Sequence, residues 1–176
     1  MDIITATYKS PVGELIIGSY NNELCLCDWR YRKMRDAVDK RIQHSIGAKY
    51  KSGTSEIIDL TIVQLEEYFN GDRTEFDIAL KFCGTDFQKK VWEQLRKIPY
   101  GKTSSYLKLS KDLGNDKAIR AVASANGSNA ISILIPCHRI IGSDGKLVGY
   151  AGGLPAKKRL LQLESSDTKP EQLLLF

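Results

Sequence analysis

The first thirty residues alternate between apolar and polar positions, a pattern that predicts three antiparallel strands joined by tight turns. Residues 3–7, 15–17 and 24–29 carry the strand pattern, and residues 11–13 and 21–22 supply the turns. In the third strand Cys25, Cys27 and Trp29 share one face, where the two cysteines serve best as small core side chains.

Helical periodicity follows, in a basic segment at residues 30–43 and in a segment that Ser55 caps and that ends at Phe69. The apolar side chains available for burial on this second helix are Ile57, Leu60, Val63, Leu65 and Phe69. Residues 70–84 then form a linker, with a short strand predicted at residues 76–80.

The second half of the chain is predicted to be helical. Thr85 and Gln88 have the spacing of a capping box. The helix that they open places five apolar residues on one side: Phe87, Val91, Trp92, Leu95 and Ile98. Ser104 or Ser105 caps a short helix ending at residues 113–114, and Asn115 or Asp116 caps another that runs through Ala125. Two short helices around a tight turn have the outline of a helix-turn-helix, so the chain is predicted to be α+β.

Residues 131–135 form an apolar run that Pro136 ends and that Cys137, His138 and Arg139 follow. The run predicts a short buried strand or extended segment, held rigidly at the proline. Because a thiol reacts as its thiolate, and basic neighbours favour that form, the segment is suited to present one reactive sulfur. The alternative is a buried structural cysteine beside an exposed basic pair.

Composition is that of a globular protein, with 42% hydrophobic and 27% charged residues in 176, enough for one domain or two small ones. The sequence lacks a membrane-length apolar stretch and a signal peptide, so we expect a cytoplasmic protein. The four cysteines, Cys25, Cys27, Cys83 and Cys137, are then free thiols. The two histidines, His44 and His138, do not form a metal-ligand pattern with them.

The net charge of +5 is distributed unevenly, because basic residues outnumber acidic ones by more than two to one between Lys81 and Arg120. Such an excess suits a polyanionic partner such as DNA, although a solvated lysine-rich helix face gives the same pattern.

At residues 135–141 the chain closely resembles the methylated-DNA–protein-cysteine methyltransferases, the O6-alkylguanine-DNA alkyltransferase family. Further matches stand in order at residues 85–88, 98–101, 105–106, 120–122, 149–154 and 160–164. The resemblance implies a ribonuclease H-like domain at residues 1–80, with a small antiparallel sheet and helices. It also implies a mainly helical DNA-binding domain of winged-helix or helix-turn-helix type at residues 81–165, and a tail at residues 166–176.

The same resemblance implies DNA repair by direct and irreversible transfer of an alkyl group to Cys137. The substrate would be O6-alkylguanine in duplex DNA, with O4-alkylthymine as a second substrate. The damaged nucleotide would be swung out of the duplex, and each chain, a monomer without a cofactor, would repair one lesion.

Roles for individual residues also follow from the resemblance. His138 would act as a base through a water molecule, and Glu164 would orient it. Tyr106 would serve a ring nitrogen of the base with its hydroxyl and press on the adjacent phosphate, and Asn129 would tie the recognition helix to the active-site loop.

Other residues would recognise the DNA. Arg120 would fill the gap that the extruded base leaves, and Ala121 and Ser124 would let the recognition helix lie close to the phosphates. The base edges would meet the carbonyls of Cys137 and Ile140 and the amide of Ala151, beside Tyr150.

The chain departs from the family at Ala130, where the family usually has proline. We expect this change to loosen the turn after Asn129 at a cost of about 1 kcal/mol or less.

The tail ends in the apolar segment 172–176, from Gln172 to Phe176. This segment resembles the short peptides with which bacterial repair proteins bind the sliding clamp. The alternative is that it folds back on its own domain.

Two other functions remain open at this stage. A thiol hydrolase would need a histidine remote in sequence from its cysteine, and His44 is the one other histidine. A lesion-binding or regulatory helix-turn-helix protein would bind DNA without transfer, but non-reactive relatives replace the nucleophile, whereas Cys137 is present here.

Overall fold

The structure, a computed structural model, describes residues 1–165 and begins with a four-stranded sheet. Its strands are β1 (Ile3–Ser10), β2 (Gly13–Tyr20), β3 (Glu23–Trp29) and β4 (Tyr50–Ser52), in the order β3-β2-β1-β4. The predicted antiparallel pairing of the first three strands is confirmed. The sheet as a whole is mixed, because β4 pairs parallel to β1. With three residues, β4 is too short to leave a periodic signal in the sequence.

Two helices complete the first half, α1 (Arg35–Ile46) and α2 (Glu56–Phe69). The Ser55 cap is confirmed, since its side chain accepts a hydrogen bond from the amide of Ile58. The predicted buried face was partly wrong: Leu60 and Val63 are 43% and 48% exposed, and the residues buried against the sheet include Ile58, Leu65 and Tyr68. The buried face is therefore rotated about the helix axis relative to the predicted one, and it includes the polar Thr61 and Gln64 as well as Tyr68.

The second half contains α3 (Asp86–Leu95), α4 (Tyr106–Asp112), α5 (Ile119–Gly127) and α6 (Leu154–Glu164). The capping box at Thr85 and the Ser105 cap are confirmed. The predicted start of α5 was wrong, because Ala118 is its N-cap and Asn115 instead closes the preceding turn, accepting a hydrogen bond from the amide of Lys117.

The predicted strand at residues 76–80 was also wrong, because a single parallel bridge forms there, between Leu80 and Leu24. Further along β3, a second short segment pairs at Cys27. The amide of Cys27 donates to the carbonyl of Ala130 (2.9 Å), and the amide of Ser132 donates to the carbonyl of Cys27 (2.7 Å). The outer edge of β3 is therefore covered by two extended segments, of which the second leads to Cys137.

One hydrophobic cluster runs through both halves of the molecule. It contains Leu15 and Tyr68 from the first half and Trp92 and Leu160 from the second. Phe87, predicted to face inward from α3, is 40% exposed and lies outside it. The four cysteines are free, as expected, and all four are buried. No helix within residues 1–165 has the length and apolarity needed to cross a membrane.

Candidate active site

The loop between α5 and the reactive cysteine is held tightly although it is irregular. Residues 129–140 are all buried. Ile133 adopts a left-handed backbone conformation (φ 73°), which is strained for a β-branched side chain. The amide of Ile135 donates to the carbonyl of Ile131 (2.9 Å) and closes the turn that contains this residue. Such strain persists where surrounding contacts fix the backbone, and here the pairing with β3 supplies them.

Cys137 begins a single 3₁₀ turn, Cys137–Arg139, and is 3% exposed. Its Sγ lies 3.2 Å from Nδ2 of Asn129, which also donates to the carbonyl of Ile135 (3.0 Å). Oδ1 of Asn129 accepts from the amide of Ile131 (2.9 Å). Asn129, which follows the C-terminal end of α5, therefore hydrogen-bonds the cysteine loop and contacts the sulfur itself.

Burial raises the pKa of the Cys137 thiol from its ordinary value of 9.0 to about 11, against the lowering effect of the hydrogen bond from Asn129. The sequence suggested that basic neighbours favour the thiolate. Since burial outweighs them, the resting group is a protonated thiol, and its ionisation requires a base at the moment of reaction.

His138 is completely buried, and its Nε2 lies 2.8 Å from Oε1 of Glu164. Burial lowers the pKa of His138 despite the opposing influence of this carboxylate, so the ring is neutral at neutral pH. Because the carboxylate can only accept, Nε2 carries the ring proton. Nδ1 is then an acceptor, and it is buried without a hydrogen-bond partner among residues 1–165. This geometry fits a general base.

The carboxylate of Glu164 accepts four hydrogen bonds. Besides His138, Tyr68 Oη donates to Oε1 (2.7 Å), and Arg139 donates from Nη2 to Oε1 (2.9 Å) and from Nε to Oε2 (2.8 Å). Burial acts to raise the pKa of Glu164, but the hydrogen bonds from His138 and Arg139 hold it at about 2. The carboxylate of Glu164 is thus ionised at neutral pH.

Two contributors to this cluster were missed by sequence reasoning. Arg139 directly follows His138 in the cysteine motif. Adjacency in the sequence does not indicate that both side chains contact the same carboxylate. Tyr68 lies 96 residues before Glu164, and no local pattern links the two. Gly101 belongs to the same region: its φ of 76° favours glycine, and a Cβ there would lie 2.9 Å from the carbonyl oxygen of Glu164.

Tyr106 begins α4 and is half-buried, with its hydroxyl 3.4 Å from Nδ2 of Asn126. Since the amide of Asn126 donates, the hydroxyl proton of Tyr106 stays available to another acceptor. Burial, and to a lesser extent Cys137, raises the pKa of Tyr106, so the group remains a donor. Asn126 was not identified from the sequence as a residue of the site.

Arg120, Ala121 and Ser124 are exposed on α5, while Val122 and Ala125 are buried beneath them. The indole Nε1 of Trp92, on α3, donates to the carbonyl of Ala125 (2.9 Å) and fixes the inner face. The outer face therefore presents small side chains and one arginine, a surface that a phosphate backbone can approach closely.

The predicted base-reading segment lies beside the cysteine turn. The buried Nζ of Lys157 donates to the carbonyl of Ile140 and to that of Val148 (3.0 Å), so it joins the end of the turn to the following loop. Tyr150 packs edge-on against His138, with ring centroids 6.5 Å apart, and Ala151 is half-buried next to it. Lys157 was not identified from the sequence, because its partners are backbone carbonyls.

The first half also contacts this site, through Asp28 and Arg32 at the end of β3. Both are buried and form an ion pair of 3.0 Å. Nη1 of Arg32 donates to the carbonyl of Asn129 (3.1 Å), and Nη2 donates to that of Gly127 (2.6 Å). Arg32 thereby binds both the C-terminal end of α5 and the residue that contacts the sulfur.

Comparison with known families gives two matches along the chain. Residues 3–82 match the model described as "6-O-methylguanine DNA methyltransferase, ribonuclease-like domain". Residues 86–166 match the model described as "6-O-methylguanine DNA methyltransferase, DNA binding domain". Together the two matches cover nearly the whole sequence.

Individual relatives agree. The chain is 50% identical over 173 residues to a methylated-DNA–protein-cysteine methyltransferase of Mycolicibacterium paratuberculosis, covering 97% of this chain and 96% of the relative. It is 40% identical over 162 residues to one of Methanosarcina acetivorans, covering 92% and 97%. Among solved structures, Mycobacterium tuberculosis OGT in complex with DNA is similar, with a TM-score of 0.81, 36% identity and coverage of 98% and 99%.

Proposed function

The chain belongs to the 6-O-methylguanine DNA methyltransferase family, whose activity is the transfer of an alkyl group from DNA to a protein cysteine, and on that premise we propose that Cys137 is the acceptor. The proposed substrate is O6-alkylguanine in duplex DNA, with O4-alkylthymine as a second substrate. The single observation that carries this proposal is the position of the sulfur, held by Asn129 and adjacent in the chain to the buried His138–Glu164 pair.

The proposed reaction is a displacement at carbon. Nδ1 of His138 takes the thiol proton through one water molecule, and Glu164 stabilises the imidazolium that forms. The sulfur of Cys137 then forms a bond to the alkyl carbon, the bond from that carbon to O6 breaks, and its electron pair passes to the guanine. The hydroxyl of Tyr106 donates a proton to the ring nitrogen of the leaving base.

Access to a base inside a duplex requires that the nucleotide leave the stack, so we propose extrusion by α5. Arg120 is exposed on that helix and enters the gap, while Ala121 and Ser124 lie against the phosphates. The extruded base lies between the turn at Cys137 and the segment at Tyr150 and Ala151. The carbonyl of Ile140 already accepts from Lys157 and uses its second lone pair for the base.

We propose one turnover for each chain. Alkylated Cys137 is a thioether, and neither His138 nor Glu164 is an agent that cleaves a carbon–sulfur bond.

The ribonuclease H-like and DNA-binding domains are proposed to divide at residues 80–81, and the protein is proposed to act as a monomer in the cytoplasm. The matched ranges 3–82 and 86–166 support a division in this region.

Intact mass spectrometry tests the proposed reaction. The protein is mixed with a duplex oligonucleotide that contains one O6-methylguanine, and the chain is expected to gain one methyl group and no more. The Cys137→Ala variant should gain none while still binding the duplex. An unchanged mass of the wild-type chain, with DNA binding retained, would instead indicate a lesion-binding protein without transfer activity.

The predicted clamp-binding peptide, 172–176, lies outside the described residues and is a separate proposal. It rests on the sequence Gln-Leu-Leu-Leu-Phe at the end of a polar tail. A bacterial sliding clamp immobilised on beads should retain the full chain and lose a chain that ends at residue 171. Equal retention of the two would remove the proposal and leave the alkyl transfer untouched.

A further inference from the structure

Tyr68 is a residue of the ribonuclease-like half whose side chain reaches the proposed catalytic centre. It lies in the last turn of α2, is fully buried, and donates its hydroxyl proton to Oε1 of Glu164 over 2.7 Å. Its ring is fixed by edge-on contacts with Phe69 (5.3 Å between centroids) and Tyr100 (6.2 Å). The hydroxyl is thus aimed at the carboxylate by a rigid aromatic cluster.

The oxygen that Tyr68 binds is the same oxygen that His138 binds. Oε1 accepts from Tyr68 (2.7 Å), from His138 (2.8 Å) and from Arg139 (2.9 Å), so three donors share its electron density. Each donor stabilises the negative charge and reduces what remains available to the others. Removing one donor leaves a carboxylate that attracts the proton of the imidazole more strongly.

The surroundings of the pair are otherwise well defined. The titratable and charged groups that face the Glu164–His138 pair come from five parts of the chain. They are Tyr68 from α2, Tyr100 after α3, Arg139 from the cysteine turn, Tyr150 from the loop before α6, and Lys157 from α6. Arg139 and Lys157 are cations and act to lower the pKa of His138. Tyr68 remains protonated because burial, followed by the influence of Glu164, raises its pKa well above the ordinary value.

We propose that Tyr68 is a positioning residue of the ribonuclease-like half, which sets the basicity of His138 by sharing Oε1 of Glu164. This inference rests on the proposed function, because it assigns His138 the role of base. It gives the first half of the chain a part in the chemistry. Without the Tyr68 hydroxyl, His138 binds its proton more tightly and is available as a base only at higher pH.

Tyr68→Phe tests this proposal, because it removes the hydroxyl and keeps the ring. NMR titration of His138 gives a readout that does not depend on alkyl transfer, and the chain has one other histidine, the exposed His44, as internal reference. The pKa of His138 should rise by roughly half a unit to one unit, as expected when a charged partner loses one of its hydrogen bonds. The acid limb of the pH–rate profile for methyl transfer should move upward by the same amount.

Tyr50→Phe is the matched control, because Tyr50 also donates to a carboxylate, Asp39 (3.0 Å), in the same half of the molecule but away from His138. It should change stability without moving the His138 titration. The effect of Tyr68→Phe should vanish when Glu164→Gln is already present, since the hydroxyl acts through that carboxylate.

The outcomes separate the two proposals. An unchanged pKa of His138 in Tyr68→Phe would overturn the role of Tyr68, whether or not the protein transfers a methyl group. A raised pKa of His138 in Tyr68→Phe, together with a wild-type chain that gains no methyl group from damaged DNA, would support the role of Tyr68 and refute the proposed function.

Discussion

At the scale of single residues, the reactive group is a thiol that the fold keeps protonated. A rise in pKa from 9.0 to about 11 lowers the thiolate fraction of Cys137 at neutral pH about a hundredfold. The three other cysteines are buried too, and burial raises the pKa of Cys25 to about 12 and that of Cys83 above its ordinary value. Under the proposed mechanism, burial therefore protects the nucleophile from unspecific alkylation, and His138 is needed to release it.

This protection predicts slow labelling of the folded protein. With iodoacetamide at neutral pH, the folded chain should show no thiol that reacts at the rate of a free cysteine, because all four are buried and protonated. Four labels should appear at once in denaturant, as followed by intact mass. A single fast label on the folded protein that Cys137→Ala removes would contradict a protonated resting thiol.

The buried Glu164 makes stability depend on pH in one direction. Its pKa is about 2 in the folded protein and 4.5 when unperturbed, so its ionisation stabilises the fold fully above about 4.5 and loses this effect as the pH falls toward 2. The free energy of unfolding of the wild type should exceed that of Glu164→Gln at neutral pH, and the difference should shrink in that acidic window. A difference that stays constant from neutral to acidic pH would be incompatible with a depressed pKa.

At the scale of structural elements, the cysteine loop is held against β3 rather than by its own regular structure. Backbone pairing at Cys27 and the ion pair of Asp28 with Arg32 fix the segment that begins at Asn129. Ala130, where the sequence predicts a looser turn, is itself buried, and its carbonyl accepts a hydrogen bond from the amide of Cys27. The predicted loosening therefore falls on a residue that tertiary contacts hold, and it stays a prediction.

Arg32→Met should weaken this support. The substitution removes two hydrogen bonds to backbone carbonyls and leaves the buried Asp28 with fewer partners, at a cost of about 2–3 kcal/mol in the free energy of unfolding. Arg30→Met is the control, since Arg30 forms an exposed pair with Glu14 that contributes about 1 kcal/mol or less. Urea unfolding of both variants measures the contrast, and equal losses would argue against a special role for Arg32.

At the scale of the whole molecule, the two halves share one hydrophobic cluster and one polar cluster. Leu15 and Tyr68 from the first half and Trp92 and Leu160 from the second belong to the same core. Polar contacts cross between the halves at Glu164 and at Asn129. The candidate active site is thus assembled from both halves, and its geometry depends on their association.

A shared core predicts cooperative unfolding. The chain has two tryptophans, Trp29 in the first half and Trp92 in the second, and both are buried. Fluorescence of Trp29→Phe therefore reports on the second half, and that of Trp92→Phe on the first. In each variant the urea transition seen by fluorescence should coincide with that seen by circular dichroism. A separation of the two midpoints within one variant would mean that the halves unfold independently.

The sequence by itself determined the elements with strong local signals and the family. Alternation marked the meander of β1 to β3, side-chain caps marked the starts of α2, α3 and α4, and the motif around Cys137 identified the chemistry. These features depend on residues a few positions apart, which a sequence displays directly. The same local reasoning placed α5 too early and made a strand of residues 76–80, because neither feature is decided locally.

Only the tertiary structure decided the state of the thiol and the partners of the Glu164 carboxylate. The pKa of Cys137 depends on the burial of the loop beside β3. The carboxylate of Glu164 accepts a hydrogen bond from Tyr68, which precedes it by 96 residues. Burial and hydrogen bonding act through space, and residues distant in the chain supply them. A sequence motif can name the nucleophile, whereas the packing of the two halves sets how acidic it is and which base can reach it.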